Sequence, residues 1–352
     1  VTGALIDVHS HVYPPSLVDY LRGRAEAPFI RDLEGGPRFC LFPGDRGVPV
    51  TAEFTHLDAK LAFMSDAGIT HSVVSPGNPW LDLLPGAESI SLAGAVNAEL
   101  AEMADQAPDR IWAMGLLPND TVSSAIETLE ELAEQPSMVG VMVGTRVCRS
   151  PLDAPELEGL WAAAASAGLP IFVHPAAGLA PEATRGFGQA LTLALAFPFE
   201  TTVAVARLVL AGTFERHPDL RVVAAHGGGV LPALAGRLKR ALEVEPSADQ
   251  ASVRSMPERA PGLYVDSILF SPSALRLCAD VLGTDRVLFG TDHPFPIADA
   301  RGAAIDLADA VQGEDYERIA CRNAIELFGL PLEQPTDLER TSAVAITRGD
   351  RA

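Results

Sequence analysis

A chain of 352 residues, 48% of them apolar, can bury a sizeable core, and its length is ordinary for one large α/β barrel. A formal charge of −20 repels nucleic acid and anionic membrane surfaces, so neither is an expected partner. No run of about 18 uncharged apolar residues marks a membrane span. No basic leader precedes the first apolar segment, and the four cysteines (Cys40, Cys148, Cys278, Cys321) form no C-x-x-C pair, so the expectation is a cytoplasmic protein with reduced thiols.

In chain order, short apolar runs rich in Val and Ile alternate with longer helical patterns. The expected strands are Ala4–Val8, His71–Ser75, Ile111–Leu116, Val139–Val143, Pro170–Val173, Arg221–Ala225, Leu263–Asp266 and Val287–Gly290. Their composition is that of strands buried on both faces, as in a parallel sheet. Thr51 is placed as a cap before a segment with Leu57, Leu61 and Met64 on one face. Helices are then expected at Ser89–Gln106, Val122–Glu134, Pro155–Ala167, Phe199–Phe214, Val230–Leu242, Pro272–Leu282 and Arg301–Val311, with Gly68, Gly168 and Gly283 as stop signals. Eight strands alternating with eight helices make a (β/α)8 TIM barrel. The barrel domain takes residues 1–330, with an insert at 13–50 after the first strand and a shorter one at Ala177–Pro198. Asp315–Phe328 is a final helix, and 331–352 a polar tail.

In such a barrel the active site lies at the C-terminal ends of the strands. His9 and His11 fall at the end of strand one, His174 after strand five, His226 after strand six and Asp292 after strand eight. Alternate residues of a strand face one side, so both imidazoles of "DVHSH" can point into the barrel mouth and share a cation. His174 can add a nitrogen and Asp292 an oxygen. Imidazoles with one carboxylate suit Zn²⁺, Mn²⁺ or Fe²⁺ rather than Ca²⁺ or Mg²⁺. A lone H-x-H among eight histidines carries little weight; the gathering at one barrel end carries the inference. His56, His217 and His71 are assigned to helix ends and a strand start, and His293 to the surroundings of the site. Gly227–Gly229 is a tight strand-to-helix turn, and Trp80 is either core or pocket wall.

The segments "DVHSH", "VHP", "AAHGGGVLPALAGR" and "FGTDHPFP" together resemble the amidohydrolase-related decarboxylases, the group that includes the aminocarboxymuconate-semialdehyde, γ-resorcylate and 5-carboxyvanillate decarboxylases. The likeness runs through nearly the whole chain. "HVYPPSLVDYLRGR", "PRFCLF", "SPGNPWLDLL" and "AVNAEL" are most similar to the uracil-5-carboxylate (isoorotate) decarboxylase branch. The resemblance implies metal ligation by His9, His11, His174 and Asp292, and a histidine that handles water or a proton at His226. It implies substrate contacts from Arg237, Asn78, Phe295 and Arg38, with Arg237 reaching either its own site or that of a neighbouring subunit. Where some relatives carry an aromatic residue after the strand-five "HP", Ala176 and Ala177 stand here.

Two-metal relatives bridge their ions with a carboxylated lysine at the end of strand four. That strand reads "VMVGTRV" here, and the two lysines, Lys60 and Lys239, fall in expected helices. One divalent ion per chain, Zn²⁺ or Mn²⁺, is therefore expected. The implied activity is non-oxidative decarboxylation of an aromatic or heteroaromatic carboxylate in a homodimer or larger homo-oligomer. Asp292 is the favoured acid for ring-carbon protonation, and His226 the next. A mononuclear hydrolase of a lactone or amide, a hydratase, and a barrel that keeps its metal for structure are the alternatives on this scaffold.

Overall fold

The computed structural model describes residues 4–79, 86–180, 182–184, 186–246, 256–257 and 260–333. Trp80 and the tail beyond residue 333 lie outside the described residues.

Eight strands form one parallel sheet in sequence order: β1 (Ile6–Val12), β2 (His71–Pro76), β3 (Ile111–Leu116), β4 (Met138–Val143), β5 (Ile171–Val173), β6 (Val222–Ala224), β7 (Leu263–Asp266) and β8 (Val287–Leu288). The sheet closes on itself as a TIM barrel. Val8 N–H donates to the Phe289 carbonyl at 3.0 Å, and beyond β8 a parallel bridge joins Ser10 to His293. Every residue of β1, β3 and β4 is buried, because side chains of one face fill the barrel and those of the other meet the helices.

The helices are amphipathic in the expected places. Val122–Ala133 turns Ala125, Leu129 and Leu132 inward and starts from a capping box between Thr121 and Ser124. Pro272–Leu282 starts at Ser271, whose hydroxyl accepts from Ala274 N–H, and stops before Gly283.

Four features depart from the sequence expectation. β1 runs on to Val12, so His9 and His11 stand within the strand and are locked by its ladder. Thr51 sits at a helix N-terminus without a side-chain cap: its hydroxyl donates to Glu53 instead, and the helix breaks at His56 into Ala52–Thr55 and Leu57–Ala67. The insert after β1, to which the sequence assigns no elements, has elements of its own. It comprises a helix, Pro15–Gly23, and an antiparallel sheet of Phe29–Leu33, Gly36–Cys40 and Val48–Pro49. Finally, the helix expected at Phe199–Phe214 begins earlier as a π turn, Thr192–Ala196, continues as Phe197–Leu210, and is broken by Gly212 before Thr213–Arg216. The stretch Thr192–Leu210 is long and apolar enough to cross a membrane, but it buries Phe197, Val205, Leu208 and Val209 against the rest of the chain.

Candidate active site

At the C-terminal end of the barrel, ligand atoms of His9, His174, His226 and Asp292 lie within 4.8 Å of one another. His11 joins them: its Nε2 is 3.0 Å from His9 Nε2 and 3.2 Å from Asp292 Oδ1. His9, His11, His174 and Asp292 are buried, and His226 is half-buried.

The hydrogen bonds on the far ring nitrogens orient three of these imidazoles. His9 Nδ1 donates to Asp266 Oδ2 at 2.7 Å, His11 Nδ1 to the Pro76 carbonyl at 3.2 Å, and His174 Nδ1 to the Pro175 carbonyl at 2.8 Å. Each acceptor holds the proton on Nδ1 and leaves the Nε2 lone pair for the centre of the cluster. Burial keeps the rings neutral in the two cases where no carboxylate grips Nδ1. His11 is pulled down to about 4 and His174 well below the ordinary imidazole range. Burial works to raise Asp292, but the imidazoles packed around it, His11, His226 and His9, outweigh that and hold it well below the usual carboxylate range, so this group is a carboxylate. Neutral nitrogens and an ionised oxygen converging on one point are the donor set a divalent transition metal takes.

The backbone at the site is unusual in two places. His226 (φ 56°, ψ 50°) and Asp292 (φ 62°) both adopt the left-handed conformation that costs a residue with a Cβ some energy. After His226 the three glycines stay at positive φ. A Cβ on Gly229 would lie 2.1 Å from the Pro198 carbonyl oxygen, so the tight turn expected from "HGGG" is a steric necessity that also swings His226 toward Asp292. His226 Nε2 stands 3.8 Å from Asp292 Oδ2.

Two groups beneath the cluster were not singled out by sequence. Asp266 ends β7 and is buried. Besides His9 it accepts from the backbone N–H groups of His226 (2.8 Å), Gly227 and Ile268 (3.0 Å each). One carboxylate thus sets the tautomer of His9 and the path of the chain around His226. Its only signal in the sequence was its place at the same barrel end as the histidines. Asp266→Asn keeps the size but weakens the grip on His9 Nδ1; metal affinity is expected to fall about 10–100-fold in a chelator-competition titration, as other ligand-orienting partners do. An unchanged affinity would leave Asp266 a backbone clamp alone.

The other is Lys60. It lies in a helix as expected, yet is buried. Its Nζ donates to Ser10 Oγ (2.6 Å), to the His11 carbonyl (3.1 Å) and to His293 Nδ1 (3.0 Å). Burial lowers it to about 7. His293 itself, pushed down to about 2 by burial and by Lys60, is a neutral acceptor. Asp7 completes the tie between β1 and the end of β8 by accepting from the Thr291 hydroxyl at 2.6 Å and from the backbone N–H groups of Thr291 and His9.

A cavity of about 400 Å³ opens above the cluster, with His174, His226 and Asp292 in its lining. Asn78 and Phe295 also line it. The Phe295 ring stands edge-on to His11 with centroids 5.2 Å apart, and Asn78 is buried. Arg38 and Arg237 are placed elsewhere. Arg38 belongs to the insert sheet and donates to the carbonyls of Arg46 and Gly47. Arg237 is exposed on the helix Leu231–Val244; neither arginine lines the cavity. Ala176 and Ala177 do not form a wall; with Gly178 they turn their N–H groups to the Glu200 carboxylate.

The barrel carries at its mouth a His/Asp group that could hold a metal ion, and the chain belongs to the amidohydrolase family, whose profile matches residues 6–330. Among solved structures it is similar to IDCase from Metarhizium anisopliae, at 32% identity and a TM-score of 0.86, with 93% of this chain and 97% of that chain covered. It is also similar to γ-resorcylate decarboxylase from Rhodococcus jostii, at 29% identity over 78% of this chain and 87% of that protein. A dihydroxybenzoic acid decarboxylase from Polaromonas, solved with bound manganese, shares the fold at a TM-score of 0.75 and 23% identity, covering 94% of this chain and 98% of that one. The curated relatives are decarboxylases, which makes this chain an enzyme of the carboxy-lyase class.

Proposed function

We propose that the enzyme decarboxylates an aromatic or heteroaromatic carboxylate of the uracil-5-carboxylate or salicylate and resorcylate type. In this reading one divalent ion, Mn²⁺ or Zn²⁺, is held by His9, His11, His174 and Asp292. The observation that carries the reading is the set of three imidazoles whose Nδ1 protons are tied to Asp266, Pro76 and Pro175, so that their Nε2 atoms converge with Asp292 beneath a cavity of ring size or larger.

Removing CO₂ directly from an aromatic ring would leave a high-energy carbanion, and protonating the ring carbon first avoids it. When bound, the metal supplies a Lewis-acidic charge for the substrate carboxylate and its neighbouring ring oxygen. Proton delivery falls to the Asp292–His226 pair. Asp292 faces the cavity as a carboxylate, so it must first accept a proton, and His226, 3.8 Å away, is placed to supply one. Phe295 and Asn78 shape the space in which the ring lies. The exposed Arg237 fits a carboxylate contact made to a second copy of the chain in a homodimer, where its fork of donors suits that group.

The test is a screen of ortho-hydroxy and ortho-oxo aromatic acids, uracil-5-carboxylate included, with metal-loaded protein and CO₂ release as the readout. Turnover that a chelator reduces to background is expected. Metal bound at one per chain without CO₂ from any acid would shift the assignment to lactone or amide hydrolysis.

A further inference from the structure

The walls of the cavity are apolar to an extent the proposed chemistry does not require. The insert contributes Phe39, Leu41, Phe42 and Val48, and the π turn Thr192–Ala196 contributes Leu193. Leu269 and Phe270, after β7, cover a further side. Among the described residues of the lining, polar side chains are confined to the metal cluster and to Asn78, Gln189 and Thr192. Part of their donor capacity is already spent: Asn78 Nδ2 donates to the carbonyls of Pro175 (3.1 Å) and Ala176 (3.3 Å), and Gln189 Nε2 donates to Asp45 Oδ2 at 2.6 Å. No lysine or arginine lines the cavity among the described residues.

Size points the same way. A cavity of about 150 Å³ accepts a benzene ring, and this one measures about 400 Å³. A bare benzene ring would fill less than half of it, which leaves room for a substituent on a one-ring acid. Within this chain, no described residue of the lining offers a second carboxylate a counter-charge. With its carboxylate and the adjacent oxygen at the metal, a pyrimidine would still bring two ring N–H groups and a carbonyl to a surface of Phe and Leu. A polar group buried without a partner is disfavoured at such a surface.

We infer that the preferred substrate is a 2-hydroxyaryl monocarboxylate bearing an apolar substituent, which packs against Phe39, Leu41, Phe42, Leu193 and Phe270, ahead of a pyrimidine carboxylate or a dicarboxylate. The inference rests on the decarboxylase reading for its acid and hydroxyl, and on the cavity walls alone for its substituent.

The experiment is a homologous series of salicylates carrying hydrogen, methyl, propyl and pentyl groups on the ring, beside uracil-5-carboxylate and 4-hydroxyisophthalate. Both kcat/KM by CO₂ release and Kd by titration calorimetry are measured on the metal-loaded protein. Each buried methylene is expected to raise kcat/KM and tighten Kd by about fourfold until the cavity is full. Phe42→Ser and Leu193→Ser are expected to flatten that slope, most for the longest chain. A slope in Kd without any CO₂ release would sustain the apolar site while sinking the decarboxylase reading. A flat series, preference for uracil-5-carboxylate or the dicarboxylate, or no binding by any salicylate would overturn the inference, even if decarboxylation itself were observed.

Discussion

Asp292→Asn is expected to lower kcat by about 10³- to 10⁴-fold, toward the upper end of what one positioned acid or base contributes. The argument is local. Among the described residues Asp292 is the one carboxylate whose oxygens approach His9 (3.7 Å), His11 (3.2 Å) and His226 (3.8 Å) together, so in the proposed mechanism it both completes the donor set and carries the proton path. Asparagine has nearly the same shape and is among the few residues that tolerate the left-handed conformation found there, with φ at 62°. The variant should therefore fold, and metal analysis should show weakened binding, so that activity recovers only in part when metal is supplied in excess. Full activity at ordinary metal concentration would remove Asp292 from both roles.

Lys60→Met is expected to cost about 3–5 kcal/mol of stability, the usual consequence of removing one member of a buried charged network. The ammonium is buried and joins β1, through Ser10 and the His11 carbonyl, to His293 beyond β8. Methionine would fill the volume but orphan three acceptors and remove the cation nearest the buried Asp7. A urea melt of the metal-free protein reads the loss, with Lys239→Met, at an exposed helix position, expected within about 0.5 kcal/mol of wild type. The pH dependence provides a separate signature. Lys60 is lowered to about 7 when folded against an ordinary 10.5, so between those values the unfolded chain binds the extra proton. Stability from this group therefore rises as pH rises through that window, and the rise should be missing in Lys60→Met. A variant that melts like wild type, with the same pH dependence, would show the network to be dispensable.

Much of the site was legible because its residues obey local rules. β3, β7 and the helix Pro272–Leu282 lie where pattern and stop signals placed them. His9 and His11 share a face because strand side chains alternate, and His174, His226 and Asp292 follow apolar runs that end at one side of the barrel. The insert shows no strand pattern because Pro, Gly and Arg interrupt its alternation, yet cross-strand pairs such as Ile30 with Phe39 order it. Thr51 had the chemistry of a cap, but the helix after it lasts one turn and its hydroxyl found Glu53.

By itself, then, the sequence determined the eight-fold alternation and the identity of the histidines and aspartate that gather at the barrel mouth, because both are written in neighbouring residues and their period. Only the tertiary structure decided how those side chains are held and what they face. Asp266 reaches His9 from 257 residues away, Lys60 becomes a buried strut although its own helix reads as ordinary, and Phe42 and Leu193 become walls of one cavity. Arg38 and Arg237, alike in chemistry to any carboxylate-binding arginine, are turned to carbonyls and to the surface. Local pattern states which way a residue faces on its own element; what it meets there depends on the packing of elements distant in the chain, which no window of sequence contains.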